Sequence, residues 1–116
     1  MKLNFRFGVI EIEGKRFERD VVVEGGRIGK RHKKASQPLR DRYGHTPLSL
    51  LEQIPWKCRR LIVGTGAYGD LPIEPDVVAE AARRGVELVA LPTDKACTVL
   101  AAADLKTTNA ILHVTC

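Results

Sequence analysis

The sequence predicts an α/β fold in three layers: a central mixed β-sheet flanked by helices, with an N-terminal antiparallel β-meander. Three observations carry this reading. Residues 5–23 hold short alternating apolar and polar stretches between glycine turns, the period-two pattern of half-buried strands. Residues 61–63, Leu-Ile-Val, form a branched apolar run of the kind buried on both faces. From there to residue 114, apolar runs alternate with stretches of helical spacing, as in βαβ crossovers.

Phe5-Arg6-Phe7 and Val9-Ile10-Glu11-Ile12-Glu13 read as a first strand, followed by a turn at Gly14-Lys15. Phe17 and Val21-Val22-Val23 carry a second, with Gly25-Gly26 as its exit turn. Arg27-Ile28 suggests a short third. These turns are too short for anything but antiparallel pairing. Residues 29–45 show neither period and read as a long loop, a feature that is usually functional or mobile.

Thr46 as N-cap and Pro47 as first residue open an expected helix, with Leu48, Leu51 and Ile54 on its apolar face and Pro55 ending it. After the strand at 61–63, a loop over 64–74 precedes a helix over 76–84 begun by Pro75. Val78, Ala81 and Ala82 form its expected apolar face, Arg83 and Arg84 complement its dipole, and Gly85 stops it. Residues 86–91 make the next strand. Thr93 is the expected N-cap of a helix over 94–103, with Asp94 at its positive end and Ala96, Val99, Leu100 and Ala103 turned inward. A turn at 106–109 leads to a last strand over 110–114. The order is β-β-(β)-α-β-α-β-α-β. The unit 61–63, 76–84, 86–91 has the length of a parallel crossover.

With 116 residues, one domain is expected, large enough for a core without disulfides or metals. No apolar run approaches the ~20 residues that span a bilayer, and residues 1–6 lack the apolar region of a secretory signal. A soluble, cytoplasmic protein is expected. Cys58, Cys97 and Cys116 are odd in number and form no C-x-x-C pair, and His32, His45 and His113 share no ligand spacing with them. Neither a disulfide framework nor a metal site is expected, and no cofactor.

The net charge of +5 is local: residues 27–42 hold Arg27, Lys30, Arg31, Lys33, Lys34, Arg40 and Arg42 against Asp41 alone. Lys30, Arg31, Lys33 and Lys34 form a candidate patch for an acidic partner or an anion. Tyr43 is the only aromatic residue nearby and no nucleic-acid-binding motif is present, which argues against nucleic acid.

Gly64-Thr65-Gly66-Ala67-Tyr68-Gly69 spells G-x-G-x-x-G directly after a strand. Dinucleotide binding needs the helix to begin within the motif, whereas Pro72 and Pro75 delay it, and the next strand ends in Leu91-Pro92 with no acidic residue for a ribose. The plainer reading is a sharp turn with close backbone approach; a small anion on the loop N–H groups is the functional one. Gly64, Thr65, Gly66, Thr93, Lys95 and Cys97 are the candidate ligand-binding residues. Cys97, in the first turns of its helix, is the one candidate nucleophile, with His113 as its base if the fold brings them together. Burial as a small hydrophobe is the favoured reading. Asp70, Glu74 and Asp76 cluster acid near the same loop, and favourable placement at a helix start is the favoured role for the latter two.

Gly64-Thr65-Gly66 after Leu-Ile-Val, Phe7-Gly8 before an Ile-x-Ile strand, Asp20-Val21-Val22-Val23, Thr93-x-x-Ala96-Cys97 and the closing His113-Val114-Thr115-Cys116 together resemble a small domain family of unknown biochemical role. Its members include archaeal and bacterial hypothetical proteins, an adipogenesis-associated protein and a mitochondrial assembly factor for respiratory complex I. The chain departs from the pattern at Leu100-Ala101, where the family has an aromatic-Asn pair, and at Gly29-Lys30, where it has a tryptophan. The resemblance implies a three-layer α/β domain with a central mixed sheet and no known catalytic activity. Two functions are expected in turn: a non-enzymatic binding or assembly domain using loops 64–70 and 92–97 with the basic loop 30–42, or a small-molecule or anion-binding protein with thiol chemistry at Cys97.

Overall fold

In the computed structural model, which describes residues 1–116, five strands make up the main sheet. Its order is β5 (Arg27–Lys30), β4 (Val21–Glu24), β8 (Thr108–His113), β6 (Arg60–Thr65), β7 (Glu87–Leu91). The β5–β4 and β4–β8 pairs are antiparallel, while β8–β6 and β6–β7 are parallel. The sheet is therefore mixed, as expected. A second antiparallel sheet of β1 (Leu3–Arg6), β2 (Val9–Ile12) and β3 (Lys15–Phe17) shares no ladder with it, and its first turn meets the end of β8 where Gly8 N donates to Val114 O at 2.6 Å.

Alternation along the central strands builds two apolar clusters. Ile62, Ala110, Leu112, Val21 and Val23 face one side, where Ile10 and Ile12 of β2 and Ala96, Cys97 and Leu100 of α3 (Thr93–Ala101) cover them. Leu61, Val63 and Ile111 face the other, against Leu48, Leu71 and the Val77 and Ala81 of α2 (Pro75–Arg83). Burial on both faces accounts for the unbroken apolar run of β6.

Several elements differ from the sequence reading. The first strand is two: Phe7-Gly8 turns the chain between β1 and β2. The meander divides between the two sheets, because β4 pairs with β8 in the main one. Residues 46–54 form no helix. The Leu48 N–H donates to Pro72 O at 2.9 Å and its carbonyl accepts from Glu74 N at 3.0 Å, so it pairs as a strand residue does. Leu51 is exposed, and only Leu48 of the expected face is fully buried. Conversely, the expected loop contains a 3-10 helix (Lys33–Leu39) and α1 (Arg40–Tyr43). Their only buried residue is Ser36, so no apolar period announces them.

The face of α2 is rotated from expectation: Val77 and Ala81 are buried, while Val78 and Ala82 are exposed. On α3, Ala96, Cys97 and Leu100 are fully buried, and Pro92 rather than Thr93 occupies the N-cap. No helix is long and apolar enough to cross a membrane.

Two glycines fix how the parallel strands end. Gly64 lies within β6, and a Cβ there would come within 2.9 Å of Thr93 Oγ1 and 3.0 Å of Leu112 Cδ2. Gly66 has φ +102°, and a Cβ there would collide with the carbonyl of Cys116 and lie 2.7 Å from Thr115 O. Both bulk and handedness oppose a side chain at 66. Gly66→Ala should lower unfolding free energy by at least about 2 kcal/mol. Gly29→Ala, in open space on β5, should change it by less than about 0.5 kcal/mol in the same urea titration.

Candidate functional site

The carboxyl ends of β6 and β7 form a topological switch point. The chain leaving β6 goes to α2 on one face, and the chain leaving β7 goes to α3 on the other. Ligands of open α/β sheets bind in the crevice at such a point. Here Thr93 stitches the crevice shut. Its N–H donates to Gly66 O at 3.0 Å, its hydroxyl accepts from Gly66 N at 2.8 Å, and the same hydroxyl donates to His113 O at 2.6 Å. The sequence correctly placed the two loops side by side. The Thr93 side chain, however, clamps three strand ends instead of capping its helix.

The G-x-G-x-x-G segment makes no open cradle of N–H groups. Ala67 N donates to Thr115 O at 2.7 Å, Asp70 N to Cys116 O at 2.9 Å, Leu71 N to Thr65 O at 3.0 Å and Gly69 N to Gly66 O at 3.3 Å. An anion on these groups would have to displace the segment 114–116. Gly64 and Thr65 belong to β6 and are buried, and Lys95 is exposed on the first turn of α3.

Cys97 faces the apolar side with Leu112. His113, next along β8, faces the opposite side, so the fold does not bring it to Cys97 as a base. Burial and, secondarily, the Asp94 carboxylate push the Cys97 thiol up to about 11, away from an activated thiolate.

A polar row crosses the sheet at this same end. Val21 lies opposite Lys30 and Leu112, so the next rung sets Asp20 between Arg31 and His113, and Thr65 pairs with His113 on the far side. The Arg31 guanidinium is fully enclosed. Its Nη1 donates to Asp20 Oδ2 at 2.9 Å, Nε and Nη2 donate to both oxygens of Glu52 at 2.8 and 3.1 Å, and Nη2 also reaches Pro47 O at 3.1 Å. Ser36 donates to Glu52 Oε2 at 2.6 Å and lies 2.6 Å from the Ser49 hydroxyl. Asp20 Oδ2 is 2.8 Å from His113 Nδ1, and its Oδ1 accepts from Val114 N at 3.0 Å. No buried side-chain nitrogen or oxygen anywhere in the chain lacks a partner.

Arg31 therefore does not belong to the expected basic patch; two carboxylates hold it inside. Burial alone would raise the Asp20 carboxyl. The hydrogen bond and charge of His113, the Val114 N–H and the Arg31 guanidinium outweigh that and hold it at about 2, against an ordinary 3.8. Lys30, Lys33 and Lys34 are exposed and make no ion pair. Glu74 precedes α2 but also anchors α1, accepting from Tyr43 Oη at 2.5 Å and Arg42 Nη1 at 3.2 Å.

Sequence reading missed Asp20, Glu52, Ser36 and Ser49 as a unit, because their connection runs between strands and loops distant in sequence. It also missed Phe7 and Tyr68, whose rings meet at 6.0 Å and stay 54% and 71% exposed beside the 64–70 loop. No group of His, Cys, Asp and Glu side chains is placed to hold a metal ion.

A conserved hypothetical protein from Pyrococcus horikoshii OT3, PH1505, is 31% identical to this chain in its crystal structure, with all of both chains covered and a TM-score of 0.78. The chain belongs to the family of that protein. A second structure, of MT938, shares the fold at 24% identity, covering 97% of this chain and 96% of its own, with a TM-score of 0.72. No family model matches, and neither does any curated protein. PH1505 is a conserved hypothetical protein, as the sequence resemblance implied for part of its family.

Two measurements test this site. Asp20 releases its proton more readily folded than unfolded. Its contribution, about 2 kcal/mol, is complete above about pH 4 and is lost as pH falls through its folded value of about 2. Asp20→Asn should be less stable at neutral pH and lose less stability than the parent between about pH 6 and about pH 2 in urea titrations. In native protein, Cys97 should resist iodoacetamide at neutral pH and react on unfolding; labelling far ahead of Cys58 would contradict its burial.

Proposed function

We propose that this chain is a non-enzymatic binding or assembly domain that docks an acidic protein partner on the rim built by loops 64–70 and 92–97. The basic segment 30–42 steers the partner there. One observation supports this over chemistry at the rim: the polar groups there are bonded inward. The Gly66, Ala67 and Asp70 N–H groups, the Thr93 hydroxyl and the Asp20–His113 pair all have internal partners. What faces solvent is a pair of aromatic rings, Phe7 and Tyr68, with Lys95 and the unpaired lysines 30, 33 and 34.

Exposed aromatic anchors beside exposed charge suit a contact surface. The resemblance to a family with an assembly factor among its members agrees with this reading. A catalytic role would need an activated group, and the best candidate, Cys97, is buried with its thiol held at about 11.

The test is affinity capture with the intact chain and with two variants, Lys30→Glu/Lys33→Glu/Lys34→Glu and Tyr68→Ser. Each substitutes exposed residues, so unfolding free energies should stay within about 0.5 kcal/mol of the parent. The charge-reversed variant should lose the captured protein, and Tyr68→Ser should weaken its retention. Capture unchanged by both variants would count against the proposal.

A further inference from the structure

Two cavities lie side by side between the 3-10 helix and the segment 113–116. One, of about 420 Å³, reaches toward Lys30 and Lys34; the other, of about 300 Å³, reaches toward Arg40 and His45. They share Lys33, Gln37 and Thr115 along their common wall, with the Arg31 cluster as floor, and so form one two-lobed groove.

The charge of this groove is one-sided where a ligand would touch it. Lys30, Lys33, Lys34 and Arg40 line it, are exposed and enter no ion pair. Its two carboxylates are already engaged: Asp20 bonds Arg31, His113 and Val114 N, and Glu18 at the rim pairs with Arg16. The second lobe has no carboxylate side chain at all. Gln37 adds a neutral donor at the junction, beside the Thr115 hydroxyl, which lies 3.2 Å from His113 Nε2. With Arg19, which lines the first lobe and sits over the Phe17 ring, five cations without a carboxylate partner surround the concavity, repel one another and gain from a bound anion.

Shape and lining narrow the ligand further. Val114 is the only apolar residue of the first lobe, and Leu71 and Cys116 those of the second. Neither lobe offers a phenyl or indole face; the planar side chains present are the imidazoles of His32, His45 and His113 and the guanidiniums of Arg19 and Arg40, so a nucleobase gains less here than a phosphoryl group does from the surrounding cations. Compact, multiply charged chemistry is what remains. We propose that the groove binds a small polyphosphate, a molecule with two or more linked phosphoryl groups, placing at least one in each lobe across Lys33. This goes beyond the partner reading: the groove would take such an anion whether or not a protein docks on the rim.

Isothermal titration of the full chain with inorganic triphosphate and with orthophosphate tests it. Triphosphate should bind one to one and at least about tenfold more tightly than orthophosphate, because its linked groups reach both lobes. Lys33→Gln, at the shared wall, should weaken triphosphate about tenfold, and Lys30→Gln and Arg40→Gln should each weaken it less. Lys106→Gln, in the turn at the opposite end of the sheet, should leave it unchanged. These positions are exposed, and thermal unfolding of each variant confirms an intact fold. Equal affinity for the two anions would overturn the proposal. So would an equal loss in Lys106→Gln, which would mean diffuse attraction to a basic protein. Tighter binding of a single-stranded oligonucleotide, lost in the same variants, would also overturn it by making the groove a nucleic-acid surface. The capture experiment on the rim is read separately, so either reading can fail alone.

Discussion

The Arg31 guanidinium donates to Asp20, to both oxygens of Glu52 and to the carbonyl of Pro47, all with a side chain 1% exposed. Removing such a cation from water costs several kcal/mol, and so does each carboxylate that faces it. The cluster is tolerable only because every donor and acceptor finds a partner. It also has a geometric consequence. Asp20 and His113 come from strand ends, whereas Glu52, Ser36, Ser49 and Pro47 come from the long connection between β5 and β6. That connection has few apolar anchors, Leu48 chief among them. Arg31 thus folds a polar segment over the end of the sheet and places the basic 3-10 helix beside residues 113–116.

A second clamp works at the neighbouring strand ends. Thr93 joins β6, β8 and the start of α3 through three hydrogen bonds, and Gly64 and Gly66 let α3 and residues 115–116 approach the strand. Together the two clamps close the place where this class of sheet usually admits a ligand. Recognition is left to what stands outside them: the aromatic pair of Phe7 and Tyr68, and the lysines of the basic segment. The same closure explains how a motif reading G-x-G-x-x-G serves chain packing. Its glycines accommodate another stretch of backbone, and the N–H groups a phosphate would seek already point at carbonyls.

The sequence was most legible where apolar periodicity decides structure. The parallel core of β6, α2, β7, α3 and β8 was readable because Leu61-Ile62-Val63 and the apolar run of β8 bury both faces, and the adjacency of Gly66 and Thr93 followed from one crossover. Residues 29–54 were misread in both directions. Thr46-Pro47 and the Leu48, Leu51, Ile54 spacing imitate a helix, but Leu48 gains more by pairing with residues 72–74. Residues 33–43 are helical with only Ser36 buried, so their folding depends on Glu52, a partner far along the chain. Arg31 looked like one more lysine-type surface charge. Local composition carries no sign that the next rung of the ladder puts it against Asp20. Cys97 shows the reverse: proximity to a helix start suggested activation, and the depth of the apolar cluster decides otherwise.

The most direct measurement is the urea unfolding free energy of Arg31→Met beside that of the triple variant Arg31→Met/Asp20→Asn/Glu52→Gln. Removing the cation alone leaves two buried carboxylates facing each other and should cost about 3–5 kcal/mol, whereas neutralising its partners as well should recover a large part of that loss. An Arg31→Met protein as stable as the parent, or a triple variant no more stable than the single one, would contradict the claim that this cluster holds the connection over the sheet.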